Sequence, residues 1–284
     1  MRMIDHAHMN FELLNRKHVD DRANTREARQ SQILARLNAL GFQSITDLSD
    51  AFRVSDQTIR RDVNALAEQG LCRRSHGGIW PPQALNNADY AERRQQGHAA
   101  KQQIAALVAE QVPDGSSIFL GIGTTLELCA VALVHKKNLR VMTNNLNAVV
   151  ALARNPEIEI CIPGGRVRNR DLDIVSAEAH GFFDRYSVDI GIFGVGAISF
   201  DGMLLDFHED EARMHRQLAR NCRQRFLAFD ASKFGRRATV RHSRITDVDS
   251  IFTDRELPAH ILKIVNAAGV QVYTPSPSSP TESH

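Results

Sequence analysis

The 284-residue chain contains no apolar run approaching the roughly 20 residues needed to cross a bilayer, which excludes a helical membrane span and argues against a membrane partner. Its opening, MRMIDHAHMNFELLNRKH, lacks the sustained apolar core of a signal peptide, so a cytoplasmic location is expected. Its 4 cysteines, Cys72, Cys129, Cys161 and Cys222, form no CxxC pair, which leaves plain thiols as the expectation. The formal net charge of +2 is too small to demand a nucleic-acid partner. There is no internal repeat, no cofactor fingerprint and no metal-ligand spacing. His6, His8 and His18 lie scattered in the polar leader without a partner pattern. Lysine is scarce: of 35 basic residues 29 are arginine, and segment 26–80 holds eight arginines and no lysine. Arginine's planar fork suits phosphates and guanine edges, so this bias permits DNA binding. A GC-rich genome produces the same bias.

What is present is an apolar fraction of 43% and a charged fraction of 24%, the balance of a soluble globular protein with room for two domains. The pattern divides into a disordered leader (1–25), a compact unit (26–81), a linker (82–98), an α/β domain (99–273) and a disordered tail (274–284). In the compact unit Ile33, Leu34, Leu37 and Leu40 recur at helical spacing, with Gly41 as the stop. Thr46 is expected to cap a second short helix, and Ser55 a third that closes at Gly70. On the third helix Ile59, Val63 and Leu66 point inward. Gln57, Thr58, Arg60, Arg61 and Asn64 point away. Residues Leu71–Ile79, with Gly77-Gly78 inside, read as a β-wing, and Pro81-Pro82 ends the unit.

Three short helices with a tight turn before the third make a helix-turn-helix whose third helix enters a major groove. Ser55, Gln57, Thr58, Arg60 and Arg61 then meet base edges and phosphates, with Thr46 and Asn64 nearby. The wing residues Arg73, Arg74 and His76 reach phosphate or minor groove, while Asp62 and Glu68 sit away from DNA. A plain three-helix bundle with a solvated charged face is the alternative.

From residue 99 on, apolar strands alternate with helices, one of which carries Ile104, Leu107, Val108 and Val112 on one stripe. The strands are expected at 116–120, 139–142, 158–162, 188–193, 225–230, 250–253 and 270–273. Such alternation implies a mainly parallel sheet. G-I-G-T-T follows the first strand and opens a helix, so Gly121, Gly123, Thr124 and Thr125 offer backbone amides and hydroxyls to an anion. It is no dinucleotide fingerprint, since the third glycine and the later acidic residue are missing, and no G-K-[ST] makes it a P-loop. A small phosphate suits it. Asn144 and Asn145, Gly164 and Gly165, Gly194, and Lys233 follow other strands. Ligands of open α/β sheets bind beyond the carboxyl ends of strands, so these residues are expected to share one crevice.

The stretch S-D-Q-T-I-R-R-D-V-N-A-L-A-E-Q-G-L-C-R-R-S-H-G-G resembles the helix-turn-helix and wing of the DeoR family of bacterial regulators, and the resemblance runs to about residue 255. G-T-T (123–125), T-N-N-L-N (143–147), G-G-R-V-R-N-R-D (164–171), L-L-D-F (204–207) and S-K-F-G-R (232–236) are similar to members that govern glycerol catabolism. The resemblance implies an α/β chain: a winged helix-turn-helix joined to a sugar-phosphate-isomerase-like sensor. It implies a repressor of a carbohydrate or glycerol catabolic regulon, released by a phosphorylated metabolite, with glycerol 3-phosphate as the effector. By position, Gly123, Thr124 and Thr125 match the phosphate loop, Asn144 and Asn145 the second loop, and Lys233 the third. Double-stranded operator DNA and a homo-oligomer follow as partners. The chain departs from many relatives at Gly121, where they carry Asp, and at His215, where they carry Lys. Another sugar phosphate, an activator, and an isomerase-like enzyme with a DNA-binding appendage are the alternatives. No catalytic residue or cofactor is assigned, because no dedicated general base stands beside the phosphate loop.

Overall fold

Helix α1 (Arg26–Leu40), α2 (Ile45–Phe52) and α3 (Asp56–Glu68) pack with a small antiparallel sheet in a unit that ends at Pro82; a second unit begins at Gln83. The computed structural model describes residues 25–40, 43–75, 77–81, 90–169 and 171–276. Gly41, His76, the leader to residue 24 and the tail from 277 lie outside the described residues, as do residues 82–89 of the segment read as a linker.

In the first unit Ile33, Leu37, Leu48, Ile59, Val63 and Leu66 form one apolar cluster closed by Ile79 of the wing. Strands β1 (Gln43–Ser44), β2 (Arg73–Ser75) and β3 (Gly78–Trp80) pair in the order β1-β3-β2. Ser55 caps α3, its hydroxyl accepting from Thr58 N at 3.2 Å. The cap of α2 is Ser44 and not Thr46. Ser44 ends β1 in extended backbone, which sets its hydroxyl 2.9 Å from Asp47 N, while Thr46 already lies in the first turn. Asp62 is buried, and Arg29 Nε donates to it at 2.6 Å.

In the second unit seven parallel strands form one sheet: β4 (Ser117–Leu120), β5 (Arg140–Thr143), β6 (Glu159–Cys161), β9 (Val188–Phe193), β12 (Cys222–Ala228), β14 (Ser250–Phe252) and β15 (Gln271–Tyr273). Each falls on an expected strand, with ends shifted by up to three residues. The order is β15-β14-β12-β9-β4-β5-β6. The chain therefore builds outward from β4 to β6, then returns to the other side of β4 and builds outward again. That reversal opens a crevice beyond the carboxyl ends of β4 and β9. Helices α5 (His98–Glu110), α6 (Thr124–Leu133) and α7 (Leu146–Leu152) pack on one another and on the sheet through Ile104, Val108, Leu126, Leu133 and Leu152.

Two additions were not expected. A hairpin, β7 (Arg166–Arg168) and β8 (Asp173–Val175), precedes α8 (Ala177–Phe183). A small antiparallel sheet joins β10 (Ala197–Ile198), β11 (Met203–Asp206) and β13 (Val240–Arg244), with α9 (Glu209–Arg220) packed on it. Their strands are short and charged, as in R-V-R and V-R-H-S-R, and carry no apolar alternation to announce them. Helix α10 (Ala259–Ala267) completes the unit. The 4 cysteines are free thiols, and no helix among the described residues is long and apolar enough to cross a membrane.

Replacing Asp62 by Ala leaves Arg29 buried without its carboxylate. The expected cost is about 3 kcal/mol. Hydrogen exchange of α1 and α3 in the full-length chain should accelerate accordingly; unchanged protection would deny the pair its structural role.

Candidate functional site

The outward face of α3 carries exposed Gln57, Arg60 and Arg61, with Thr58 and Asn64 half-buried beside them. Thr58 shares a hydrogen bond of 3.0 Å with the hydroxyl of Ser55. Thr46 is exposed in the first turn of α2, Arg74 is exposed on the wing, and Arg73 is half-buried there. The T-I-R-R-D run thus divides its labour: Arg60 and Arg61 face outward, whereas Ile59 and Asp62 hold α3 in place. Exposed arginines on this face can meet phosphates and base edges.

In the second unit the loops after β4, β9 and β12 converge on one crevice. It is lined by Gly123, Thr124, Thr125, Gly194, Gly196 and Lys233. Gly123 has φ +122°, a conformation open to glycine, and no side chain caps α6. The helix therefore presents its dipole and first N–H groups beside two buried threonines. Lys233 sits on a turn held by Asp230, whose Oδ1 accepts from Ser232 N at 3.0 Å. Burial lowers the Lys233 ammonium to about 8; Arg236, Lys101 and Arg93 push it the same way and Asp230 opposes them. Arg93, on α4 (Tyr90–Gln95), and Arg236 line the same space. Helix α4 is tied down by Tyr90, whose hydroxyl donates to Glu127 Oε2 at 2.8 Å, and by Arg94 on the same carboxylate.

Not every expected residue reaches this crevice. Asn144 and Asn145 are buried and hold structure: Asn144 Nδ2 donates to Ile174 O of the β7–β8 hairpin at 3.1 Å while its Oδ1 is unmatched among the described residues, and Asn145 caps α7. Gly164 and Gly165 lie on the exposed turn into β7. Gly121 is buried and continues the sheet, its N–H donating to Ile192 O at 2.9 Å. The reason is the strand order. The switch point selects the loops of β4, β9 and β12, while the hairpin occupies the end of β5.

The crevice also has an acidic wall that sequence patterns did not reveal: Asp171, Asp206 and Glu211. Each is engaged. Arg93 pairs with Asp171, and Arg168 forms a fork on Asp173 at 2.9 Å from both nitrogens while also reaching Glu211 at 2.9 Å. Burial alone would raise the Asp206 carboxyl, but the rings of His215 and His242 hold it below the usual range. Burial would lower His215, yet Asp206 at 2.7 Å raises it. Burial and the neighbouring His215 push His242 down to about 4. No local motif could have shown this group, since its members come from β11, α9 and β13.

A winged helix with an outward arginine face, joined in one chain to an anion-seeking crevice at a sheet's switch point, defines a ligand-responsive transcription regulator. Residues 29–82 match the DeoR-like helix-turn-helix domain, and residues 96–255 match the DeoR C terminal sensor domain. The chain is 38% identical over 244 residues to the glycerol-3-phosphate regulon repressor of Escherichia coli (strain K12), covering 86% of this chain and 97% of that one. It is 41% identical over 225 residues to the glycerol-3-phosphate regulon repressor of Haemophilus influenzae, covering 79% and 88%. It is 34% identical to the HTH-type transcriptional repressor CsqR of Escherichia coli (strain K12), covering 88% and 96%. Among solved structures, ribose 5-phosphate isomerase A from Methanocaldococcus jannaschii is similar with a TM-score of 0.37 and 18% identity, over 50% of this chain and 56% of that one. The chain belongs to the DeoR family of DNA-binding transcriptional repressors.

Arg168→Ala would strand Asp173 and Glu211 in a buried wall. A loss of about 3 kcal/mol is expected in urea unfolding of the second unit. A loss under about 0.5 kcal/mol would mean that the hairpin does not depend on this pair.

Proposed function

We propose that the chain binds operator DNA as a homo-oligomer in the cytoplasm and represses genes of glycerol or carbohydrate catabolism until glycerol 3-phosphate enters the crevice. The observation that carries this reading is the meeting, in one space, of an uncapped helix N-terminus, Thr124 and Thr125, and the cations Arg93, Lys233 and Arg236. A phosphate there would meet N–H donors, hydroxyls and positive charge together. The names of the relatives favour glycerol 3-phosphate among phosphorylated polyols. The engaged state of Asp171, Asp206 and Glu211 favours a sensor over an isomerase, because proton abstraction requires a free base. On α3, Arg60 and Arg61 are the residues proposed to touch DNA.

The direct test is fluorescence anisotropy with duplex DNA from upstream of glycerol-catabolic genes. Glycerol 3-phosphate should weaken binding about tenfold or more, the size of an ordinary coupling energy; an unchanged Kd would refute the effector assignment. Arg61→Ala or Arg60→Ala should weaken specific binding by about 1–3 kcal/mol, or reduce the salt slope where the contact is to phosphate. Wild-type affinity in both variants would remove α3 from the interface.

Effector binding should also be linked to protons. The free Lys233 titrates at about 8, and a bound phosphate stabilises its charged form and raises that value. Affinity should then be level from about pH 7 to 8 and fall as pH rises further, up to the ordinary lysine range near ~10.4. Calorimetry near pH 9 in buffers of different ionisation enthalpy should show proton uptake. A Kd independent of pH across this window would exclude Lys233 from the contact.

A further inference from the structure

Asp206 on β11, His215 on α9 and His242 on β13 converge at the wall of the crevice. Asp206 Oδ2 lies 2.7 Å from His215 Nδ1 and 3.3 Å from His242 Nε2, and candidate donor atoms of the three residues all fall within 4.8 Å of one another. Their side chains are only 3%, 5% and 2% exposed. Nε2 of His242 and Nε2 of His215 are both buried without a hydrogen-bond partner among the described residues. Buried polar atoms are ordinarily satisfied, so the unmatched Nε2 of His242, 3.3 Å from Asp206 Oδ2, requires a reason.

The surroundings supply one. The pairing of β11 with β13 slips between Leu204 and Leu205, so that Ser243 faces Leu204, Arg241 faces Leu205, and His242 is the residue left over. Such bulges re-aim a side chain, and here the ring comes to rest against Asp206. Ser243 Oγ engages His242 Nδ1 at 2.8 Å, which leaves Nε2 as the free donor. Gly196 N donates to Asp206 Oδ1 at 2.9 Å, which leaves Oδ2 toward the two rings. Gly196 allows that approach, since a Cβ there would lie 3.1 Å from the carboxylate. A ring or carboxylate fixed through one atom and offering the other is the arrangement that orients metal ligands.

We propose that Asp206, His215 and His242 bind a divalent transition-metal ion, with zinc as the reference case, in the wall of the effector crevice. Two imidazoles and one carboxylate suit zinc, nickel or ferrous iron and disfavour magnesium or calcium, which take oxygen ligands. Bond lengths near ~2.1 Å in tetrahedral geometry set donors about 3.4 Å apart. The 3.3 Å contact between His242 and Asp206 already matches, and the 2.7 Å contact with His215 needs a small side-chain rotation. Asp206 and His215 line the crevice, so the remaining coordination position lies on its side. An ion there adds positive charge where a phosphorylated ligand sits. The assignment stands on the cluster and not on which effector binds.

The test uses the full-length, tag-free chain, stripped with a chelator and titrated with Co2+ and with Zn2+. One equivalent per chain is expected, with the visible Co2+ bands of tetrahedral nitrogen and oxygen ligation and a rise in Tm with Zn2+. His242→Ala and His215→Gln, each checked for native circular dichroism, should weaken binding by about 100-fold or more, at least the effect of losing a supporting residue. Binding below about 0.1 equivalent in the wild-type chain would overturn the proposal. So would an intense near-ultraviolet thiolate band, or retention of the ion in both variants, which would assign it to cysteines or to histidines elsewhere. If neither variant folds, the wild-type stoichiometry and Co2+ spectrum decide alone.

Discussion

The sensor unit is organised by the reversal of strand order between β4 and β9. Parallel neighbours built in one direction send their connections away in sequence. Where the direction changes, two connections leave on opposite sides and a gap opens between them. Gly123 and Gly194 stand on the two sides of that gap, and β12, next to β9, adds Lys233. The crevice is thus a product of topology. Its residues supply only what fills it: a helix start without a cap, two hydroxyls and a concentration of positive charge.

Charge in that space is divided rather than uniform. The cationic side has Lys233, Arg236 and Arg93, with Lys101 behind them donating to Arg93 O and Gln96 O. Burial and mutual repulsion lower Lys233 and Arg236, which is the signature of a site richer in cations than in local counter-charge. The carboxylates of the anionic side are each held by a partner, Glu211 and Asp173 sharing Arg168 and Asp206 meeting His215. A phosphate bound as proposed would therefore find its attraction on one wall, while the carboxylates of the other are each held by a partner.

The helical reader and the seven-strand sheet were legible because both rest on periodicity, 3.6 residues for Ile59, Val63 and Leu66 and unbroken apolar runs for strands buried on both faces. The glycine turn into α6 was legible because Gly123 and a helix start are local features. The rest of the crevice was not. Asn144 and Asn145 look like ligand groups in sequence, but their amides serve the hairpin and the α7 cap. Arg93, Asp206 and His215 have no shared spacing. Only the fold brings them to one crevice, through a hairpin and a small sheet whose charged strands lack any alternation.

For a ligand to alter DNA affinity it must bind two states of the chain unequally, and the difference has to act on an element that both states share. Helix α4 meets that requirement within the second unit. It is the first described element after residue 81, and Arg93 on it lines the crevice while pairing with Asp171. A phosphate bound as proposed would compete with Asp171 for the same guanidinium, so occupancy would exchange one partner of α4 for another. Tyr90 and Arg94 bind Glu127 on α6, the helix whose N-terminus lines the crevice, so α4 is tied to the crevice by a second route. A coupling of about 1–3 kcal/mol is within reach of such an exchange of ionic partners. Under the proposed function, a ligand-dependent signal would begin as a competition for one arginine, on α4.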